Sequence, residues 1–382
     1  MKNNQRVVIK LGTTLLTGGS NQLDLDILSS LVKQIVGLHK KGYQIIIVSS
    51  GAVAAGRHSL NNWITTNESS NNVRSRQIMA SIGQGILMHH FQELFGANQI
   101  PVAQALLTHN DISDRISYLN IRNLLLDLIM LRVIPIVNEN DVVAIEELEG
   151  ETIGDNDTLS ALVSNMIDAD LLILLGDLEG LYSEDPHLNP KAKLIDFVEN
   201  IEDIEARIGD SWTNQGRGGM VTKINAARLA TSSGTNVVIA NGLIPDNLHR
   251  IISGNKIGTQ FKTRITNLES RKRWLLSRES SNCSIHVDSG AAKAITQKGG
   301  SLLPSGIITI SGQFTKGEII KIIDNKNNKI AIGMVNYTNI EIEEIITARS
   351  KPNEHPVEKI MSNEVVHRDN MVITGGSANA NQ

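Results

Sequence analysis

Tyr43-Gln44-Ile45-Ile46-Ile47-Val48-Ser49-Ser50-Gly51-Ala52-Val53-Ala54-Ala55-Gly56 decides the fold. Ile45 to Val48 is an unbroken apolar run, as expected of a strand covered on both faces of a parallel sheet. The small residues behind it open a helix and suit a ligand lying against backbone N–H groups, although tight helix packing would select the same residues. Toward the N-terminus, Ile27, Leu28, Leu31, Val32, Ile35 and Val36 recur at helical spacing until Gly42 stops the helix. Before them, Val7 to Lys10 is a short β-prone run turned by Gly12-Thr13-Thr14. Strand, helix and strand make a βαβ unit.

The same grammar returns further along the chain. Val133 to Val137 reads as a strand ending in Asn138-Glu139-Asn140-Asp141, Leu171 to Leu175 as one ending in Gly176-Asp177, and Asn236 to Ala240 as one ending in Asn241-Gly242. Polar and glycine residues thus gather at the carboxyl ends of the strands, where open α/β sheets place their ligands. Past Phe261 and the basic linker Arg271-Lys272-Arg273 the pattern changes. Ser284 to Val287, Ile307 to Ile310, Gly317 to Ile323 and Ile330 to Val335 are short strand-like pieces separated by glycine, which predict a small β-rich domain or barrel. The expected division is an α/β domain over residues 1–262, a β-rich domain over 278–358 and a disordered tail over 370–382, where the sequence offers little to bury.

Composition narrows the function. A chain of 382 residues with 41% hydrophobic and 20% charged residues is that of a globular protein with two or three cores. The greasy stretch from Leu124 to Val137 is interrupted by Asp127, Arg132 and Pro135, so no apolar run reaches the ~18 residues a membrane span needs. Residues Met1 to Arg6 lack a signal-peptide pattern, and the one cysteine, Cys283, can form no internal disulfide; a cytoplasmic location is expected. A net charge of -4 and 3% aromatics argue against broad nucleic-acid binding.

The familiar nucleotide signatures are absent. No GxxxxGK[ST] loop occurs, and Gly83-Gln84-Gly85 and Gly216-Arg217-Gly218 lack the third glycine of the dinucleotide fingerprint. His367-Arg368-Asp369 imitates a protein-kinase catalytic loop, but Thr374 stands where that loop needs Asn. What remains is a set of loops after strands. Lys10-Leu11-Gly12-Thr13-Thr14 puts an ammonium at a strand end beside a glycine, a pattern shared by a solvated edge lysine. Asn138 to Asp141 and Gly154-Asp155-Asn156-Asp157 are two amide and carboxylate clusters flanking an expected hairpin, Val142 to Ile153. Arg217-Gly218-Gly219-Met220-Val221-Thr222-Lys223 runs into an expected helix, Thr222 to Ser232, with Lys223 in its first turn. A cation there opposes the helix dipole and should have an anionic partner, for which a phosphate would fit. Two isolated lysines with Asp157 between them suit phosphoryl transfer, which needs mainly positioning and charge neutralisation. No histidine sits in these loops, as expected if the acceptor is a carboxylate already ionised at neutral pH.

Taken in order, these motifs resemble the amino acid kinase family, from Val8 to about Arg368, and the second domain resembles a PUA domain through Val287-Asp288-Ser289-Gly290-Ala291, Gly299 to Ile307 and Gly312 to Glu318. The resemblance implies a three-layer α/β sandwich followed by a small β-barrel. It implies ATP-dependent phosphorylation of the L-glutamate side-chain carboxylate at the opening of proline biosynthesis, with Mg2+ carried by the nucleotide phosphates. N-acetylglutamate, aspartate and UMP are the alternative acceptors within the family. By the same resemblance Lys10, Lys223 and Asp157 are catalytic, and Ser50, Gly51, Asp141 and Asn156 bind glutamate. Lys10, Gly12, Gly176, Asp177 and the loop Arg217, Gly218, Gly219, Met220, Val221, Thr222 and Lys223 hold ATP, with Gly12 and Gly51 offering backbone amides. Gly176 and Arg217 stand where the family has Thr. A homo-oligomer (dimer or tetramer), feedback by proline and a link to glutamyl phosphate reductase are further implications. RNA binding through the PUA-like part is the rival from another class. It is disfavoured because residues 271–382 hold only 14 Lys and Arg against 11 Asp and Glu.

Overall fold

Alternation of side chains decides how the first sheet is covered. Val7, Ile9 and Leu11 of the first strand enter one apolar cluster while Val8 enters another, and Ile45 and Ile47 are likewise divided from Ile46 and Val48. All of these residues are essentially inaccessible to water. Each buried side chain of this size contributes about 1.5–3 kcal/mol, so a strand apolar on both sides is stable only between two helical layers.

The computed structural model describes residues 5–60, 73–143, 156–186, 188–199, 201, 219–263, 283–350 and 364–374. The chain forms two units, Met1–Asn267 and Leu268–Gln382. In chain order the first contains β1 (Arg6–Leu11), α1 (Thr13–Thr17), α2 (Leu25–Lys40), β2 (Gln44–Ser49), α3 (Ala52–Leu60), α4 (Val73–Gly96), β3 (Val102–Leu107), α5 (His109–Ser113) and α6 (Arg115–Met130). It continues with β4 (Ile134–Glu139), α7 (Asn156–Met166), β5 (Leu171–Gly176), β6 (Phe197–Val198), α8 (Gly219–Ser232), β7 (Asn236–Asn241), α9 (Asn247–Ile252) and β8 (Thr259–Phe261). The strands form one sheet in the order β3-β4-β2-β1-β5-β7-β8-β6. Its pairings are parallel except that of β7 with β8. Helices α6, α7 and α8 cover one face and α1, α2, α4 and α9 the other, which is the expected three-layer sandwich.

Local signals set the helix ends. Asp24 caps α2 by accepting from the N–H groups of Asp26 and Ile27, both at 3.0 Å, and the chain leaves the helix through Gly42 at φ +96°. The expected helix from Thr222 begins earlier, at Gly219, so Lys223 lies one full turn inside it. Of the expected hairpin, Val142 and Val143 belong to a turn in which Val143 N–H donates to Asn140 O at 3.0 Å; residues 144–153 lie outside the described residues, as does the linker Arg271 to Arg273.

In the second unit β9 (Ser284–Val287), α10 (Ser289–Lys298), β10 (Ile307–Ser311), β11 (Ile319–Ile323), β12 (Lys329–Met334), α11 (Asn339–Ser350) and β13 (Met371–Ile373) build a separate five-stranded sheet in the order β10-β9-β11-β12-β13. Its own core includes Ile285, Val287, Leu302, Phe314, Ile320 and Val366. The expected limits at 358 and 370 fall short. Val365 and Val366 are fully buried and Met371 to Ile373 pair antiparallel with β12, because three apolar residues completing a sheet edge bury area that a free tail would expose. Residues 375–382 lie outside the described residues.

Candidate active site

Lys10 has the parity of Val8 and therefore points to the α6, α7 and α8 face of the sheet, at the carboxyl end of β1. On that face α7 begins with Asn156-Asp157 and α8 carries Thr222-Lys223. Lys10 Nζ stands 2.6 Å from Asp157 Oδ1, and Lys223 Nζ stands 3.0 Å from Asp157 Oδ2. Thr222 Oγ1 donates to Asp157 Oδ2 at 2.8 Å, and Lys223 Nζ also donates to Gly219 O at 2.9 Å. Asp157 is 3% exposed. Burial raises its carboxyl pKa, but the two ammonium groups and the Thr222 hydroxyl outweigh burial and hold it below the ordinary carboxylate range. The anionic partner expected for Lys223 is thus Asp157. Two cations sharing one carboxylate leave a net positive charge facing the sheet's carboxyl edge, a setting for an anion.

Beside this triad lies a lattice of amides. Asn156 Nδ2 donates to Ser50 Oγ at 2.9 Å and to Asn138 Oδ1 at 3.1 Å. Asn138 Oδ1 also accepts from the Glu139 N–H at 2.9 Å, and Asn138 Nδ2 donates to Gln84 Oε1 at 2.8 Å. The buried Oδ1 of Asn156 has no hydrogen-bond partner among the described residues. Ser50 follows β2, and its N–H donates to Leu11 O at 3.0 Å, so the Ser50-Gly51 loop is pinned beside β1. Gly51 has φ +101°, and a Cβ there would also lie 3.1 Å from Leu23 Cδ2, so the turn admits glycine alone without strain.

The structure brings Lys10, Asp157, Thr222 and Lys223 together, and Ser50 with Asn156, as the motifs imply. Other expected residues sit differently. The Gly12 N–H donates to Leu175 O at 3.2 Å, so it is not a free amide; the ladder at the β1 and β5 ends claims it. A Cβ at Gly12 would lie 3.3 Å from Leu175 O and 3.6 Å from Lys10 Nζ, so glycine is what keeps this strand end clear beside the ammonium. Gly176 borders the Lys223 stem, where an added Cβ would lie 3.6 Å from Cε. Asp177 is exposed and its carbonyl accepts from Asn241 Nδ2 at 2.8 Å. Gly219 faces open space, Val221 is exposed, and the Met220 side chain packs into the core, so only its backbone can face a nucleotide. Asp141 sits in the turn that follows β4, and Arg217 and Gly218 lie outside the described residues. Sequence reading missed Gln84; its Gly83-Gln84-Gly85 setting looked only like an incomplete fingerprint.

The model of the amino acid kinase family matches residues 5–241, and that of the PUA domain matches residues 284–357. The chain belongs to the amino acid kinase family and is a phosphotransferase with a C-terminal PUA domain. A glutamate 5-kinase of Dehalococcoides mccartyi is 44% identical over 370 residues, covering 97% of this chain and 98% of that protein. The glutamate 5-kinase of Herpetosiphon aurantiacus is 43% identical over 368 residues, covering 96% and 98%. A solved isopentenyl phosphate kinase covers 67% of this chain and 100% of its own at 19% identity, with a TM-score of 0.47.

Proposed function

We propose that this chain acts as a glutamate 5-kinase, transferring the terminal phosphoryl group of ATP to the side-chain carboxylate of L-glutamate. The observation that carries the reading is the pairing of Lys10 and Lys223 across one buried Asp157, next to the Ser50 and Asn156 amide lattice. Full-length relatives with that activity support it.

In this reading the glutamate carboxylate attacks the terminal phosphorus and the bond to the bridging oxygen of ADP breaks. The nucleophile is already ionised, so no base is required. Lys10 and Lys223 neutralise charge on the oxygens of the phosphoryl group in flight, and Asp157 keeps both ammonium groups aimed without reorganisation. The absence of a side chain at Gly12 leaves Lys10 Nζ approachable from the strand end. Mg2+ would be carried by the nucleotide and would supply further charge neutralisation beside Lys10 and Lys223. Ser50, Asp141 and Asn156, with the Gly51 turn, hold the amino and carboxyl groups of the acceptor, while Asp177 and the Gly219 to Lys223 turn hold the nucleotide.

The product is an acyl phosphate, which water destroys readily, so it must be consumed promptly, and a glutamyl phosphate reductase is the partner proposed for it. A cytoplasmic homo-oligomer inhibited by proline completes the proposal. Among the described residues no helix is long and apolar enough to cross a membrane. The test is ADP release with glutamate, N-acetylglutamate, aspartate and UMP side by side, with hydroxylamine present. Hydroxamate formed with glutamate supports the proposal, and equal turnover with UMP overturns it.

A further inference from the structure

We infer that Gln84, on α4, is a positioning residue that, together with the Glu139 backbone N–H, holds the Asn138 amide and through it the atoms that Asn156 and Ser50 present to the amino acid; the inference rests on the activity proposed above. The backbone N–H of Glu139 can only donate, so its bond to Asn138 makes the bonded atom Oδ1. Asn138 then turns its NH2 toward Gln84, which must answer with Oε1. Because Asn138 Oδ1 is an acceptor, Asn156 must meet it with Nδ2, and the same nitrogen donates to Ser50 Oγ. Both hydrogens of the Asn156 amide are thereby spent. Its Oδ1 is left as an open acceptor, suited to an ammonium, and Ser50 keeps its hydroxyl hydrogen for a carboxylate. One backbone N–H and one glutamine acceptor hold the polarity of the lattice.

Gln84 is 9% exposed, and its Nε2 has no partner among the described residues. A buried amide hydrogen without an acceptor is costly, so packing alone would favour an apolar side chain here. The backbone holds Gln84 in register. A Cβ on Gly83 would lie 1.8 Å from Ala52 O, and one on Gly56 would lie 1.9 Å from Met79 O, so α4 and α3 meet main chain to main chain. Since α3 starts directly after Ser50-Gly51, the residue that orients Asn138 and the loop that presents Ser50 belong to one rigid contact.

The experiment compares the wild-type enzyme with Gln84→Met, which keeps the stem and removes the acceptor, and Gln84→Glu, which keeps an oxygen facing Asn138. Melting temperature, kcat and the KM for glutamate and for ATP are measured on each. Gln84→Met is expected to raise the glutamate KM about tenfold, the size of one lost hydrogen bond. Its kcat and ATP KM stay within about twofold, and Gln84→Glu restores the glutamate KM to within about threefold of wild type. An unchanged glutamate KM in Gln84→Met, with wild type active on glutamate, overturns the inference alone. So does a parallel loss in both KM values, kcat and melting temperature, or failure of Gln84→Glu to restore binding. A wild-type enzyme inactive on glutamate overturns the activity and the inference together. If Gln84→Met does not fold, the glutamate KM of Gln84→Glu decides by the same threefold limit.

Discussion

Lys10 Nζ lies 2.6 Å from Asp157 Oδ1, joining the carboxyl end of β1 to the first turn of α7. The other oxygen of the same carboxylate holds Lys223 at 3.0 Å, so one buried anion spaces two cations drawn from different elements.

If the two lysines act on charge that moves during transfer, Lys10→Met and Lys223→Met should each lower kcat by ~10²- to 10³-fold, with a smaller effect on the glutamate KM. The double variant should lose less than the product of the two, because Asp157 couples them. Steady-state kinetics on folded variants checks this; a Met variant with nearly full kcat removes that lysine from the chemistry.

Asp157→Asn should destabilise the first unit by about 3 kcal/mol at pH 7, since it leaves two largely buried ammonium groups without their anion. The sign of the pH dependence follows from the lowered pKa of Asp157. Its stabilising contribution is complete above the ordinary carboxylate value of ~3.9 and is lost as pH falls through the lower folded value. Melting curves of wild type and Asp157→Asn should therefore differ most near neutrality and converge in acid.

Gly83→Ala should destabilise the protein by about 1–3 kcal/mol through overpacking, because the new Cβ falls 1.8 Å from Ala52 O and both helices must shift. The shift displaces the start of α3, so the glutamate KM should rise with the loss of melting temperature. Thermal denaturation and kinetics on the same preparation test the pair of effects. An Ala variant with wild-type melting would show that the helices can separate freely.

A chain ending at Asn267 should fold and retain glutamate-dependent ADP release. All of the proposed catalytic groups lie within the first unit, which has its own core. Inactivity of a soluble truncation with native circular dichroism would assign the second unit a part in forming or regulating the site.

Much of this protein was legible in the sequence because burial on both faces of a strand leaves a local mark. Ile45 to Val48 and Leu171 to Leu175 have no polar side, and they became neighbours of β1 in the middle of the sheet. The β3 strand left no such mark and was missed: it is an edge strand, half-buried along most of its length, with Gln104 exposed. The Lys10 and Asn138 loops were also legible, since they directly follow apolar strands, where open α/β sheets place their ligands. Only the tertiary structure decided that each lysine takes a different oxygen of Asp157, that the Gly12 N–H is consumed by Leu175, and that Gln84 reaches Asn138 from α4. The reason is physical. Periodicity records which side of an element is dry, whereas a contact between segments far apart in the chain depends on how closely two elements approach, and glycines such as Gly56 and Gly83 set that distance without naming their partner.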